Sequence, residues 1–449
     1  EVGWGVAFFP PGIASLRGFG GWLTCAATLG LAGWLAFQHD LQRAALWLVA
    51  AAGSTLLLTH ARIAWEVCAL QTLFVIMVLA VMARTEADPT SQRTPILWRT
   101  VYVSAVWLGV SSHFIFLTVA LAATFGALSF ARTEIDRRAT GVIALTVTTL
   151  AASALLVTAK TFTTDTDFVA NRYPIIGLWL LAIPLVVALS GSKRWTERLL
   201  TIISRSPLAV AHRWGIRLSL AWLAVSGLGL GFVQVLAGGV IHRRLGSNAL
   251  PIGIEVLGFM FAGVTYALAI GIAARTMRHC ATLPVGVVWL RMTFLFWPIC
   301  LAMTGRSQTA VRYYLPYALI FLALIAEAAR SHSQRNVRRM LYVPLSGFIG
   351  LSAFLWPATQ TTTPPFNERF LIGNHFETAK NFASLDRIAN RAESGGFCRF
   401  EGNYFIAEPL RFLSDAGEWQ CKTESTFRVE YCSRCGPNDL LHATAEQTP

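Results

Sequence analysis

The chain has 449 residues, of which 54% are hydrophobic and only 14% charged, with a mean hydropathy of +0.52 and a formal net charge of +13. Soluble domains carry about 25% charged residues, so a soluble enzyme, a disordered regulator and a nucleic-acid-binding domain all fit poorly. The cations form short clusters between apolar runs, as membrane loops do, rather than one patch, and all but Lys160, Lys193, Lys380 and Lys422 are arginine. These features describe an all-α polytopic membrane protein.

A hydrocarbon core takes roughly 20 apolar residues per helix. Spans are expected at 19–37, 43–59, 63–83, 139–159, 175–190, 215–241, 251–274, 284–303, 313–329 and 340–356. The stretch 98–130 is too long for one crossing, and Ser111-Ser112-His113 divides it into helices 98–110 and 113–130 meeting at a polar tip. That makes about twelve spans.

Orientation follows from the basic loops. Loop 191–214 holds Lys193, Arg194, Arg198, Arg205 and Arg213; loop 330–339 holds Arg330, Arg335, Arg338 and Arg339; loop 131–139 holds Arg132, Arg137 and Arg138. With twelve spans all three share one side, read as cytoplasmic, and the basic pair Arg243-Arg244 is an exception on the other. Both ends of the chain then lie outside. Glu1 is not a methionine and no signal peptide is legible near it, so residues removed upstream or a fragment are the two readings. With one helix missing upstream, the native N-terminus would be cytoplasmic.

Two domains are expected: a transmembrane domain over 1–357, and a small soluble extracytoplasmic α/β domain over 358–449. The tail lacks a run of helix-spanning length, and Thr361-Thr362-Thr363-Pro364-Pro365 makes a linker. Neither a repeat of fixed period nor an inverted pair of Gly/Pro-broken helices is visible. Cys25, Cys68, Cys280 and Cys300 lie in or near spans, where cysteine behaves as a small hydrophobe. The tail carries Cys398, Cys421, Cys432 and Cys435, which suit two disulfides in any of three pairings, a structural zinc site using Cys432-Ser-Arg-Cys435, or free thiols.

Charge in a membrane is expensive unless used or paired, so ionisable residues at the outer helix ends are the informative ones. Between two spans stands His60-Ala61-Arg62-Ile63-Ala64-Trp65-Glu66, where Arg62 and Glu66 either pair at i and i+4 or hold opposite charges at a cavity mouth. His113 at the hairpin tip suits a hydrogen-bonded interface residue or a site residue. Between Lys160 and Arg172 lie Asp165 and Asp167, an exposed polar loop or a pair for acid/base or metal work. The fourth place is Arg306 and the element Arg312-Tyr313-Tyr314-Leu315-Pro316. Arginine presents a planar fork suited to phosphate and a helix N-terminus adds partial positive charge, although the tyrosines also fit an interfacial belt. Several arginines with few carboxylates suit an anionic ligand such as a lipid phosphate.

The order of these features resembles the GT-C membrane glycosyltransferases, in particular the polyprenyl-phosphate-sugar users related to protein mannosyltransferases and the lipid A aminoarabinose transferase. The likeness rests on Pro10-Pro11-Gly12-Ile13-Ala14-Ser15-Leu16-Arg17-Gly18-Phe19-Gly20-Gly21, on Gln42-Arg43-Ala44-Ala45-Leu46, on the His60–Glu66 segment and on Arg312-Tyr313-Tyr314-Leu315-Pro316. It covers residues 10–130 and 300–330; between them only hydropathy matches. The resemblance implies a bacterial-type inner-membrane enzyme with an outer-face site. Such an enzyme moves a sugar from a polyprenyl-phosphate carrier to a hydroxyl on a glycan, lipid or protein acceptor, and nucleic acid has no part in it. It implies that Arg62 and Arg312 hold the carrier phosphate, with Lys160 and Arg306 as weaker candidates and His60, Glu66, His113 and Tyr313 around them. The family's catalytic carboxylates precede the part present here, so no base is assigned and Asp165 and Asp167 are stand-ins; a divalent metal is compatible but not indicated. A transporter or flippase of an anionic lipid-linked substrate, or a non-catalytic assembly subunit, are the rivals. The first of these calls for charge at mid-span, where Glu255 is the nearest approach.

Overall fold

The computed structural model describes residues 13–54, 57, 68–87, 95–113, 115–129, 137–162, 172–205, 208–226, 229, 232–233, 236, 244–245, 248–249, 252–276, 282–303, 314–331, 399–402, 422–425 and 440–443. Its helices are α1 (Ile13–Phe37), α2 (Leu41–Gly53), α3 (Cys68–Ala87), α4 (Ile96–Ser112), α5 (Phe116–Leu128), α6 (Arg137–Phe162), α7 (Arg172–Gly191), α8 (Lys193–Arg205), α9 (Leu208–Val225), α10 (Ile252–Thr276), α11 (Val285–Met303) and α12 (Leu315–Ser331). A two-residue ribbon, β1 (Arg244–Leu245) with β2 (Asn248–Ala249), precedes α10. Of the expected tail domain, the described residues are three strands, β3 (Arg399–Gly402), β4 (Lys422–Ser425) and β5 (Leu440–Ala443). They form a parallel sheet in the order β4-β3-β5, with Arg399 opposite both Lys422 and Leu440.

Among the described residues five helices are long and apolar enough to cross a membrane, over Gly18–Phe37, Ala69–Glu86, Ala139–Thr158, Val256–Thr276 and Val285–Met303. Shorter apolar helices cover Phe116–Leu128, Leu181–Gly191, Trp214–Val225 and Leu315–Ala329. Large apolar side chains cover the outside as well as the inside: Leu155, Leu181 and Val225 are 72%, 74% and 85% exposed. A contiguous exterior of this kind belongs against lipid rather than water. The hydroxyls within the spans are satisfied locally, as Thr146, Thr148 and Thr149 of α6 each donate to a carbonyl one turn back, which keeps a polar group viable in an apolar helix.

Local chemistry sets the turns. α1 closes with His39 in the left-handed region at φ 60°, a conformation that ends helices, and the Asp40 carboxylate then caps α2 by accepting the Arg43 amide at 3.3 Å. The hairpin expected at Ser111-Ser112-His113 is present as α4 and α5. Gly109 makes it tight, because a Cβ there would lie 2.5 Å from the Phe116 ring.

α11 occupies the middle of the bundle and packs on α3, α5, α9, α10 and α12. The Trp289 indole donates to the Ala123 carbonyl of α5 at 2.9 Å, and Ser219 of α9 donates to the Leu295 carbonyl. Gly126 lets α5 close on α11, since a Cβ there would meet the Thr293 amide nitrogen at 2.9 Å.

Two expectations change. The basic loop over 191–214 is instead helix α8 followed by the first turns of α9, and the span expected over 215–241 starts earlier, with α9 ending at Val225. The physical reason is visible in Trp195, Leu199 and Ile203, which recur at a spacing of four and bury one helix face. The span 340–356, the linker and the four tail cysteines lie outside the described residues.

Candidate functional site

Contacts between helix ends divide the bundle into two ends. At one, Arg43 at the start of α2 meets Glu86 at the end of α3 at 2.7 Å. Gly286 at the start of α11 lies against the same α3 terminus, where a Cβ would stand 2.9 Å from the Glu86 amide nitrogen. Arg291 of α11 reaches Glu327 near the end of α12 and Thr276, the last residue of α10, and Arg99 at the start of α4 donates to the Val187 carbonyl near the end of α7. We call this the ion-pair end. The termination of α4 at Ser112, the start of α5 at Phe116 and the start of α12 beside Tyr314 therefore lie at the other, the hairpin end. α6 follows α5 after a short connection and packs along it, so its C-terminus, which contains Lys160, runs to the hairpin end as well.

Of the residues singled out from sequence, His60, Arg62, Glu66, Asp165, Asp167, Arg306, Arg312 and Tyr313 lie outside the described residues. Lys160 lies in the last turn of α6 and Glu255 in the first turn of α10. His113 is described fully. Its amide donates to the Gly109 carbonyl at 3.0 Å, its carbonyl accepts from the Phe116 amide at 3.0 Å, and its Nδ1 accepts from the Ile115 amide at 3.1 Å. The imidazole thus builds the hairpin turn, as the hydrogen-bonded alternative expects, and the tautomer that serves this turn leaves Nδ1 unprotonated. Ser111 and Ser112 likewise donate to carbonyls of their own helix, at Trp107 and Gly109.

Of the aromatics that follow Arg312, Tyr314 and Tyr317 are interior rather than part of an interfacial belt. Tyr317 is fully buried and lies between two stacked rings, Trp297 at 4.4 Å and Phe294 at 4.9 Å. Its hydroxyl shares a 3.0 Å hydrogen bond with that of Tyr266 on α10. Tyr314 stands against Trp297 and Phe232, and Phe232 also packs on Tyr266 and Tyr317. The start of α12 is therefore clamped by rings from α10, α11 and the residues after α9. The Trp297 Nε1–H is buried in this cluster without an acceptor among the described residues.

Sequence reading missed the charges inside the bundle. Spans nearly free of mid-span charge were expected, with Glu255 the nearest approach, yet Arg291 lies within α11 and is buried with Glu327 of α12. The guanidinium grips the carboxylate through Nε at 2.8 Å and Nη2 at 2.9 Å, and its Nη1 reaches the Thr276 hydroxyl at 3.2 Å. A signal existed: Arg291 is seven residues into one span and Glu327 near the far end of the next, which antiparallel packing brings level. Desolvating such a pair costs more than an exposed pair gains, and bidentate geometry with a further acceptor offsets the cost. With its hydrogen bonds engaged, the pair acts as an internal clamp at the ion-pair end rather than a ligand site. Arg43 and Glu86 do the same beside a narrow crevice lined by Leu31, Leu35, Trp47 and Leu79. Among the described residues no group of three His, Cys, Asp or Glu side chains is arranged to hold a metal.

No known protein family matches this chain, nor does any curated protein. Among solved structures it is similar to the oligosaccharyltransferase of Archaeoglobus fulgidus, crystallised with zinc and sulfate, at a TM-score of 0.48 and 12% identity. The alignment covers 93% of this chain and 51% of that protein, so the chain spans about half its length. Likeness at this level bears on neither the activity nor the site residues of the present protein.

Proposed function

We propose that this chain is an integral membrane glycosyltransferase of GT-C type. It takes a sugar from a polyprenyl-phosphate carrier and passes it to a hydroxyl on a glycan, lipid or protein acceptor at the hairpin end of the bundle, which faces the outside of a bacterial-type inner membrane. The observation that carries the reading is the rigid seating of Tyr314 and Tyr317 in a cluster of rings. Arg312 and Tyr313 precede them directly in sequence, so the resemblance's late arginine motif adjoins a buried aromatic cluster. The same end receives the α4–α5 turn at His113 and the terminus of α6 with Lys160.

In this reading Arg62 and Arg312 hold the carrier phosphate, helped by Lys160 and Arg306, with His60, Glu66, His113 and Tyr313 around the sugar. The cations stabilise the departing phosphate as charge develops on it. A carboxylate must take the proton of the acceptor hydroxyl; within this chain Asp165 and Asp167 are the stand-ins for it. A transport route is less well supported, because Pro184 and Pro298 sit within α7 and α11 without interrupting either helix, whereas transporters use broken helices at mid-membrane.

The test is Arg312→Ala in the complete protein, assayed for sugar transfer from a polyprenyl-phosphate donor in membranes. Loss of transfer by two orders of magnitude or more (~3 kcal/mol of transition-state stabilisation) with unchanged expression is expected. Full transfer by that variant would remove Arg312 from the site.

A further inference from the structure

Helix α8 has no part in the proposed reaction. It follows α7 after a single residue, Ser192, whose carbonyl accepts from the Thr196 amide at 3.0 Å, and at 13 residues it is too short to cross a bilayer. Trp195 docks it: the indole donates to the Thr148 hydroxyl of α6 at 2.8 Å. Leu199 and Ile203, one and two turns on, are buried on the same face. The opposite face exposes Lys193, Arg194, Glu197 and Arg198, and beside them Ile202 is 62% exposed.

The surroundings say what covers this face. Immediately before α8, Leu181, Leu185 and Leu189 of α7 are exposed, and after it Leu218 and Val225 of α9 are exposed. Cations and apolar exterior are therefore continuous, and the cations begin where the apolar surface of α7 ends. Trp214 of α9 is 56% exposed with the Arg217 guanidinium 5.6 Å from its ring centroid. A tryptophan paired with an arginine marks headgroup depth, where the ring and the charge are both accommodated. In water, Ile202 and Trp214 would stand exposed beside these charges with nothing gained. One acid, Glu197, faces Lys193 at 3.8 Å, both well exposed, and such a pair contributes little.

We propose that α8 lies in the plane of the membrane surface and binds the headgroups of anionic phospholipids through Lys193, Arg194 and Arg198, with Ile202 entering the acyl region. The proposal rests on the membrane-spanning reading and is independent of the transferase activity. A helix with a polar basic face and an apolar one lies at the interface in this way, drawn by burial and by the negative lipid charge together.

The experiment uses the full chain in a neutral detergent, titrated with phosphatidylglycerol or phosphatidylcholine in mixed micelles, with bound lipid counted by native mass spectrometry. Phosphatidylglycerol is expected to bind in preference, each of the cations contributing about five-fold and Lys193→Gln, Arg194→Gln and Arg198→Gln together removing about a hundred-fold. Raising the salt to about 0.5 M should shrink the preference, because exposed charges are screened. Glu197→Gln, which leaves every apolar contact intact, should strengthen it a few-fold, so the proposal stays testable even if the triple variant fails to fold. Equal binding of the two lipids by the unmodified protein, or an undiminished preference in a folded triple variant, would overturn it.

Discussion

α10 and α11 are neighbours of similar character read one residue at a time, each a long apolar helix able to cross a membrane. Their fates differ: 83% of the α11 span is buried inside the protein against 39% of the α10 span. α11 carries Trp289, Phe294 and Trp297 into the centre and buries Arg291 on Glu327. α10 turns Val256, Leu257, Met260 and Val264 outward and commits Tyr266, Ala269, Ile272, Ala273 and its last residue, Thr276, to the interior. Hydropathy reports the cost of leaving water. It does not say whether a side chain then meets lipid or protein, because lipid tails and leucines are equally apolar.

The comparison breaks most readily at its charged point. Glu327→Ala leaves the Arg291 guanidinium buried without its partner and should cost about 3–5 kcal/mol, read as a large drop in thermal midpoint in mild detergent. Combining Arg291→Met with Glu327→Leu should restore most of that loss, since an apolar pair of similar volume replaces the ions. If the single variant melted like the unmodified protein, the pair would not be the clamp described here. A smaller effect is expected where α10 does enter the core: Tyr266→Phe removes its bond to Tyr317 and should cost about 1 kcal/mol by the same assay. The least should come from the lipid-facing side of α10, where Leu257→Ala is expected to change stability by about 0.5 kcal/mol or less. A Leu257→Ala loss as large as that of Glu327→Ala would mean that this face is covered by protein.

Legibility followed the range of the interaction. The α4–α5 hairpin was readable because Ser111-Ser112-His113 interrupts an apolar run too long for one crossing, a feature local to a few residues. α8 was equally local in its spacing of Trp195, Leu199 and Ile203, but its arginines pointed to a loop and concealed the period. At the candidate site, Arg312-Tyr313 was visible as a motif. That Tyr317 stacks on Trp297 and Phe294 with Tyr314 buried beside it, and not in a belt, required the neighbouring helices. His113 stood out at the tip of the apolar run, but its bond to the Ile115 amide depends on the conformation of the turn.

Composition and the spacing of apolar runs were enough for the membrane class, the approximate position of most helices and the short turn at the α4–α5 tip. These depend on transfer of a segment from water and on the bonding of a helix to itself, both sums over neighbours in the chain. Which helix is central, which cations are paired and which face meets lipid were decided by packing. Arg291 is 36 residues from Glu327 and Arg43 is 43 from Glu86. The first bond exists because α11 and α12 pack antiparallel and the second because α2 and α3 both pack against α1 and α12; no local sum contains that information.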